Sequence, residues 1–222
     1  RAVGIEAAGL SQTFSVLEAG TERLCLRLPL SGSYNVCNAL GAVGAGLRAG
    51  LTETEVTEGL ESFGGVRRRQ EILGRVGGIT VIDDFAHHPT AVARTLEGLT
   101  LSFPGIRLWA VFEPASATNA RDVFEERYLE AFAAAHEVIL TAVPRPDRCG
   151  EDPPFSPERL ACALVDSGLP ACFTPQPEDV VSRLTDSLEA GDAVVFMSNS
   201  GFGGIQKLLL SALQEKHGPP PR

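Results

Sequence analysis

Apolar positions change rhythm along this chain. TFSVL at 13–17 and ERLCLRL at 22–28 alternate or run apolar around the turn-rich EAGT, which predicts a β-hairpin. Leu24, Leu26 and Leu28 then share one face, because side chains alternate along a strand. After Ser33 the period lengthens. Val36, Ala39, Leu40, Val43 and Leu47 recur at helical spacing, with Ser33 as the expected cap and Gly50 as the stop. Gly41, Gly44 and Gly46 weaken that helix by roughly 1 kcal/mol each, and their expected use is close approach to another backbone. Thr52–Phe63 reads as a second helix, with Thr52 and Glu55 spaced as a capping box.

Beyond Phe63–Arg69 the rhythm changes again. QEILGRV and GITVIDD are two strands around Gly77-Gly78. Helix patterns follow at 89–101, 120–135, 156–167, 177–190 and 202–214, and strand patterns at 107–112, 137–143, 171–173 and 192–197. Such alternation implies right-handed βαβ crossovers and a mostly parallel sheet covered on both faces. The expected fold class is therefore α/β. A domain boundary is expected where the glycines at 64–65 meet the arginines at 67–69, with the first part being the tail end of a domain.

Composition narrows the function classes. The chain has 222 residues and is 44% hydrophobic, enough for a core. Its net charge of -9 argues against nucleic acid, which demands clustered Lys and Arg. Five cysteines, odd in number and without a CxxC pair, argue against a disulfide framework or a zinc ribbon and suit a reducing cytoplasm. No apolar run approaches the ~20 residues that span a bilayer, and the first ten residues lack a signal-peptide pattern. The chain opens on Arg rather than Met, so a fragment of a longer protein is expected.

In an open parallel sheet, ligands bind beyond the carboxyl ends of the strands. There this sequence places Asp83-Asp84, Glu113, 144–147 and Ser198-Asn199. VIDDFAHHPT at 81–90 admits three readings: a metal site, a nucleotide edge, or a turn capped by Asp83 beside a solvated histidine. Adjacent histidines rarely point the same way, which weighs against metal, and no metal ligand is assigned. Arg67-Arg68-Arg69 reads as a phosphate contact or as a solvated hinge. Asn35 and Asn38 share a helix face and suit an adenine edge, with helix capping by Asn35 as the other reading. The loop SNSGFGG at 198–204 could hold a carboxylate or phosphate on its amides. No P-loop and no GxSxG elbow occurs.

Taken in order, three segments resemble the Mur ligase family. LSGSYNVCNALGAVGAGLRAGL is similar to the helix that ends the family's central ATPase domain. FGGVRRRQE resembles the junction after it, and VIDDFAHHPTAV the opening of the C-terminal domain. The resemblance implies a Rossmann-like C-terminal domain at 67–218, preceded by the tail of the ATPase domain at 1–66 and followed by a short tail at 219–222. Within the family, Phe85, FEPAS at 112–116 and MSNSGFGGIQKLL at 197–209 look closest to the branch that joins the recycled murein tripeptide to UDP-N-acetylmuramate. The alternatives are the branch that adds L-alanine and a non-catalytic nucleotide- or peptide-binding module.

The resemblance implies a cytoplasmic, ATP-dependent ligase of peptidoglycan synthesis or recycling. Its P-loop, magnesium-binding acid and catalytic lysine would lie upstream, so this chain alone is expected to be inactive. Asn35 and Asn38 would face adenine, Arg69 the ATP phosphates, Asp84 the ribose, and His87 the nucleotide on domain closure. Glu113, Ser116, Ser198 and Asn199 would line the pocket of the incoming peptide. ATP and Mg2+ are the implied cofactors, and UDP-N-acetylmuramate and the tripeptide the partners. Three positions depart from the pattern: Tyr34 stands where the family has His, Ala115 where it has Arg, and Gln206 where it has His.

Overall fold

A computed structural model of the chain describes residues 1–115, 124–144 and 155–218. The chain forms two compact units, residues 1–66 with 97–105, and residues 67–96 with 106–222.

The first unit carries a three-stranded antiparallel sheet in the order β1 (Ala2–Ala8), β2 (Ser11–Glu18), β3 (Thr21–Leu28). The expected hairpin is β2–β3. Its register sets Phe14 opposite Leu26 and Val16 opposite Leu24, so alternation on both strands delivers one apolar face. Val36, Ala39 and Val43 of α1 (Ser33–Arg48) and Val56 of α2 (Glu53–Glu61) join the same core as Phe14, Leu26 and Leu28. Strand β1 was not legible. Its side chains are mostly exposed, and its pairing with β2 is bulged between Val3 and Glu6, so AVGIEAA shows no alternation.

Two expectations for α1 are corrected. Its cap is Gly32 at φ +90°, not Ser33, and no side chain caps it. A Cβ at Gly32 would lie 2.7 Å from the Tyr34 ring, so this start needs glycine twice over. Among the described residues, a Cβ added at Gly41 or Gly44 would meet nothing within 4 Å, and one at Gly46 would meet the side chains of Val56 and Leu51 rather than backbone. The capping box of α2 is present, with Thr52 Oγ1 accepting from Glu55 N at 3.2 Å and Glu55 Oε2 accepting from Thr52 N at 2.8 Å.

The second unit is an α/β layer built on a six-stranded sheet. In chain order its elements are β4 (Glu71–Val76), β5 (Ile79–Asp84), α3 (Pro89–Ser102, whose last turns group with the first unit), β6 (Leu108–Phe112), α4 (Glu125–Ala131) and β7 (Glu137–Leu140). They continue with α5 (Pro157–Asp166), β8 (Ala171–Phe173), α6 (Pro177–Ser187), β9 (Ala193–Met197) and α7 (Ile205–His217). The strand order is β4-β5-β9-β6-β7-β8, parallel throughout except where β4 meets β5. That exception is a hairpin whose two turn residues, Gly77 and Gly78, have φ of +58° and +81°, as a tight primed turn requires.

The central strands are apolar along their whole length because helices cover both faces: LWAVF in β6 and AVVFM in β9 are buried at every position. On one face Trp109, Val111, Val194 and Phe196 pack with Val180, Leu184, Leu209 and Leu213 of α6 and α7. Elsewhere Phe112, Tyr128 and Phe132 form a ring cluster, with centroids 5.1–6.0 Å apart. At the amino ends of β6 and β9, Arg107 grips the buried Asp192 with two bonds, Nε to Oδ1 at 2.9 Å and Nη2 to Oδ2 at 2.7 Å.

Candidate functional site

The connection from β5 passes over β9 to reach β6, so the carboxyl ends of β5, β9 and β6 lie side by side. Their registers set Asp84, Met197 and Phe112 in one row. Just past that row Ser198 N donates to Asp84 O at 3.2 Å and Glu113 N donates to Met197 O at 3.1 Å. Three of the four polar strand ends thus meet. Of the fourth, 145–147 lie outside the described residues.

Asp83 and Asp84 end β5 and, being consecutive on a strand, face opposite ways. Asp83 Oδ1 accepts from Gln206 Nε2 at 3.1 Å, and Asp83 Oδ2 pairs with Arg68 Nε at 3.2 Å. Asp84 Oδ2 accepts from Gln70 N at 2.8 Å, and Asp84 Oδ1 accepts from Ala86 N at 2.7 Å and Thr95 Oγ1 at 3.3 Å. Burial is the larger influence on both carboxyls and lifts them above the ordinary aspartate range, against the pull of these donors. Of the readings this segment admits, a turn cap is present, but Asp84 supplies it rather than Asp83. Both oxygens of Asp84 already receive the chain's own donors, so what it visibly holds is the 68–70 turn and the start of the 86–88 segment.

That turn is sharp. Arg68 and Gln70 have φ of +59° and +52°, a region non-glycine residues rarely occupy, at a cost of about 1–2 kcal/mol each. Backbone bonds over-determine it: Arg68 N donates to Glu71 Oε2 and Phe85 N donates to Arg68 O, both at 2.7 Å. Arg69, the expected phosphate contact, is exposed and lies with its guanidinium 5.2 Å from the centre of the Phe85 ring. Its neighbour Arg68 was not singled out by sequence, yet it enters the site. Besides Asp83, its Nη2 donates to Ser198 O at 2.7 Å and to Ser200 O.

His87 is half-buried, its Nδ1 2.8 Å from Phe85 O and its ring edge-on to Phe85. Its carbonyl accepts from the buried Tyr128 hydroxyl at 2.5 Å, and burial raises the phenol far above its usual range. In the first unit, Asn35 and Asn38 lie one turn apart on α1. Asn38 Nδ2 donates to Asn35 Oδ1 at 3.3 Å, and Asn35 Nδ2 donates to Ser31 O at 2.7 Å, so Asn35 does not cap the helix.

Of the expected peptide-pocket residues, Glu113 and Ser198 are bonded to each other, and Ser116 lies outside the described residues. Ser198 Oγ donates to Glu113 Oε1 at 2.6 Å, and Ser200 Oγ donates to the same oxygen. Each hydroxyl in turn accepts a backbone amide: Ser200 N on Ser198 Oγ at 2.9 Å, and Phe202 N on Ser200 Oγ at 3.0 Å. Phe202 holds φ +51° and is buried against Phe196, the ring centroids 5.7 Å apart. Among the described residues Asn199 Oδ1 is buried with no hydrogen-bond partner. Ser200, part of the loop expected to line the pocket, and Gln206, noted only as a departure from the family pattern, also join the site. Among the described residues no group of three or more His, Cys, Asp or Glu is arranged to hold a metal ion.

A site at the carboxyl ends of a parallel sheet, built of buried carboxylates and a serine-glycine loop, marks the ligand-binding end of an α/β domain. The family model for the Mur ligase glutamate ligase domain matches residues 68–200. The chain belongs to the Mur ligase family. It is 33% identical over 196 residues to the UDP-N-acetylmuramate–L-alanine ligase of Desulfitobacterium hafniense, covering 88% of this chain and 43% of that protein. It is also 33% identical over 188 residues to the UDP-N-acetylmuramate–L-alanyl-γ-D-glutamyl-meso-2,6-diaminoheptandioate ligase of Escherichia coli, covering 84% of this chain and 39% of that protein. The chain thus spans less than half the length of either relative. The crystal structure of the UDP-N-acetylmuramate-alanine ligase of Thermotoga maritima matches 97% of this chain and 46% of its own, with a TM-score of 0.82 at 23% identity, a likeness of fold.

Proposed function

We propose that this chain is the part of an ATP-dependent amide ligase that receives the amine donor and contacts the nucleotide, and that the acyl substrate is UDP-N-acetylmuramate. Its first unit corresponds to the end of the ATP-binding domain and its second to the C-terminal ligase domain. The observation that carries the reading is the Glu113–Ser198–Ser200 cluster on a family-matched sheet edge. Both hydroxyls bond the same oxygen, Glu113 Oε1. The other carboxylate oxygen is left, among the described residues, to meet an ammonium group.

The reaction implied has two steps. The muramate carboxylate oxygen attacks the γ-phosphorus of ATP and ADP leaves. The donor's ammonium first gives up one proton to expose its lone pair; the amine nitrogen then attacks the acyl carbon, phosphate leaves with the C–O bond pair, and the nitrogen loses a second proton. Acyl phosphates hydrolyse readily, so the donor must be held at the acyl carbon before water arrives. Glu113 and the 198–204 loop serve that positioning. Arg69 offers an exposed guanidinium to phosphate oxygens. Asn35 and Asn38 offer amide donors and acceptors to an adenine edge. In this reading Asp84 acts through the turn it holds, while a direct ribose contact requires it to exchange one of its present donors. Magnesium is expected of the family reaction. Among the described residues no group of three or more His, Cys, Asp or Glu is placed to hold it.

L-alanine is the donor we favour, on the likeness to L-alanine ligases over most of the chain. The murein tripeptide is the second reading. Phe85, the Glu113-Pro114 pair and the run Met197–Asn199 favour it, as does an equal identity to the tripeptide ligase of Escherichia coli. The reaction type is tested with the protein expressed from the full reading frame and UDP-N-acetylmuramate labelled with 18O in its carboxylate. Label in the released phosphate, dependent on the amine, supports the acyl-phosphate route. ATP hydrolysis that leaves the label in the sugar refutes it.

A further inference from the structure

Arg68 has no task in the reaction just described, yet its guanidinium is bonded at three points of the sheet edge. Its Nε pairs with Asp83 Oδ2 at 3.2 Å, while its Nη2 donates to Ser198 O at 2.7 Å and to Ser200 O. The two serines whose carbonyls it holds are those whose hydroxyls hold Glu113. Behind it, Gln206 Nε2 fixes the far oxygen of Asp83 at 3.1 Å. A continuous path runs Gln206, Asp83, Arg68, the 198–200 backbone, Glu113.

We infer that Arg68 is a positioning residue for the amine-donor pocket, setting the place of Glu113 through the Ser198–Ser200 carbonyls. The inference deepens the proposed function and rests on it for the identity of the donor. An arginine suits the task because its planar fork sends Nε and Nη2 to different partners at fixed separation. A lysine ammonium carries the same charge on one atom and cannot reach both. The loop also needs holding, since Phe202 sits at φ +51°, a region non-glycine residues rarely occupy. Arg69, one residue on, makes none of these bonds, although both guanidinium groups lie 5.2 Å from the centre of the Phe85 ring.

The test is Arg68→Lys in the protein expressed from the full reading frame, with steady-state ADP release measured against the amine that the unaltered protein uses. The KM for the amine rises at least ten-fold while the KM for ATP stays within two-fold. An unchanged amine KM, or an equal rise in both, overturns the inference. Should Arg68→Lys fail to fold, Asp83→Asn, near-isosteric and lacking the charge that holds the guanidinium, gives the same split. If the unaltered protein releases no ADP with either amine, the proposed function has failed and the positioning claim is read without substrate. Hydrogen exchange at the Ser200 and Phe202 amides then speeds at least ten-fold in Arg68→Lys while Val194 and Val195 keep their protection. Unchanged exchange at the loop amides refutes the claim.

Discussion

Asp84 Oδ2 accepts the backbone N–H of Gln70 at 2.8 Å, tying the end of β5 to a residue held at φ +52°. Replacing Asp84 by Asn puts an NH2 group or a single oxygen where two acceptors serve three donors. The variant loses about 1–3 kcal/mol, the usual cost of an unpaired buried donor, read as a lower urea midpoint. The pH dependence has a definite sign. Burial sets the folded pKa above the unfolded one, so the stability linked to protonation is fully present below the unfolded value and lost as pH rises through the folded one. The gap between the unaltered protein and Asp84→Asn therefore widens as pH falls from 7 toward the unfolded value of about 4. A constant gap would show that Asp84 is not raised.

Asp192 is predicted to behave in the opposite way. Burial pushes its carboxyl up, but the bonds from Arg107 and from Glu189 N more than offset this and leave it below the usual range. Its contribution is present above the unfolded pKa of about 4 and is lost as pH falls through the lower folded value. Asp192→Asn lowers the thermal midpoint at pH 7, and the difference from the unaltered protein shrinks below pH 4. A difference that persists there would mean the Arg107 pair is not the cause.

Glu113→Gln keeps the shape of the cluster but removes the charge offered to an ammonium. The KM for the amine rises at least ten-fold, with the KM for ATP unchanged, in steady-state ADP release. A rise confined to ATP would move Glu113 out of the donor pocket.

Arg69→Ala is expected to act on the other substrate. Losing one guanidinium from a phosphate contact raises the KM for ATP by ten-fold or more, consistent with a charge-assisted bond of about 1.5–3 kcal/mol. The amine KM stays within two-fold. If ATP kinetics are unaltered, the exposed Arg69 is a solvated hinge residue, and the nucleotide contact lies elsewhere.

The alternation of strands and helices was legible because each central strand is an apolar run and each helix carries its own period. The α/β class and the mostly parallel sheet follow from that alone. Strand β1 was not legible because most of its side chains are exposed among the described residues and AVGIEAA carries no alternation. The cap of α1 was misread because Ser33 looks like a capping residue, whereas Gly32 meets a demand of backbone and Tyr34 packing that no side-chain preference encodes. At the site, strand ends pointed to Asp84, Glu113 and Ser198. The choice between Arg68 and Arg69 was beyond sequence, since identical neighbours are told apart only by a turn with left-handed residues at 68 and 70. Asp83 and Asp84 could have been separated in advance, because alternation sends one toward each face of the sheet.

The most direct measurement is ADP release by the protein expressed from the full reading frame, with ATP and UDP-N-acetylmuramate, comparing L-alanine with the L-alanyl-γ-D-glutamyl-meso-diaminopimelate tripeptide. The account predicts amine-dependent release with a preference for L-alanine. A preference for the tripeptide keeps the ligase and moves the donor to the second reading. Release with neither amine would contradict the central claim.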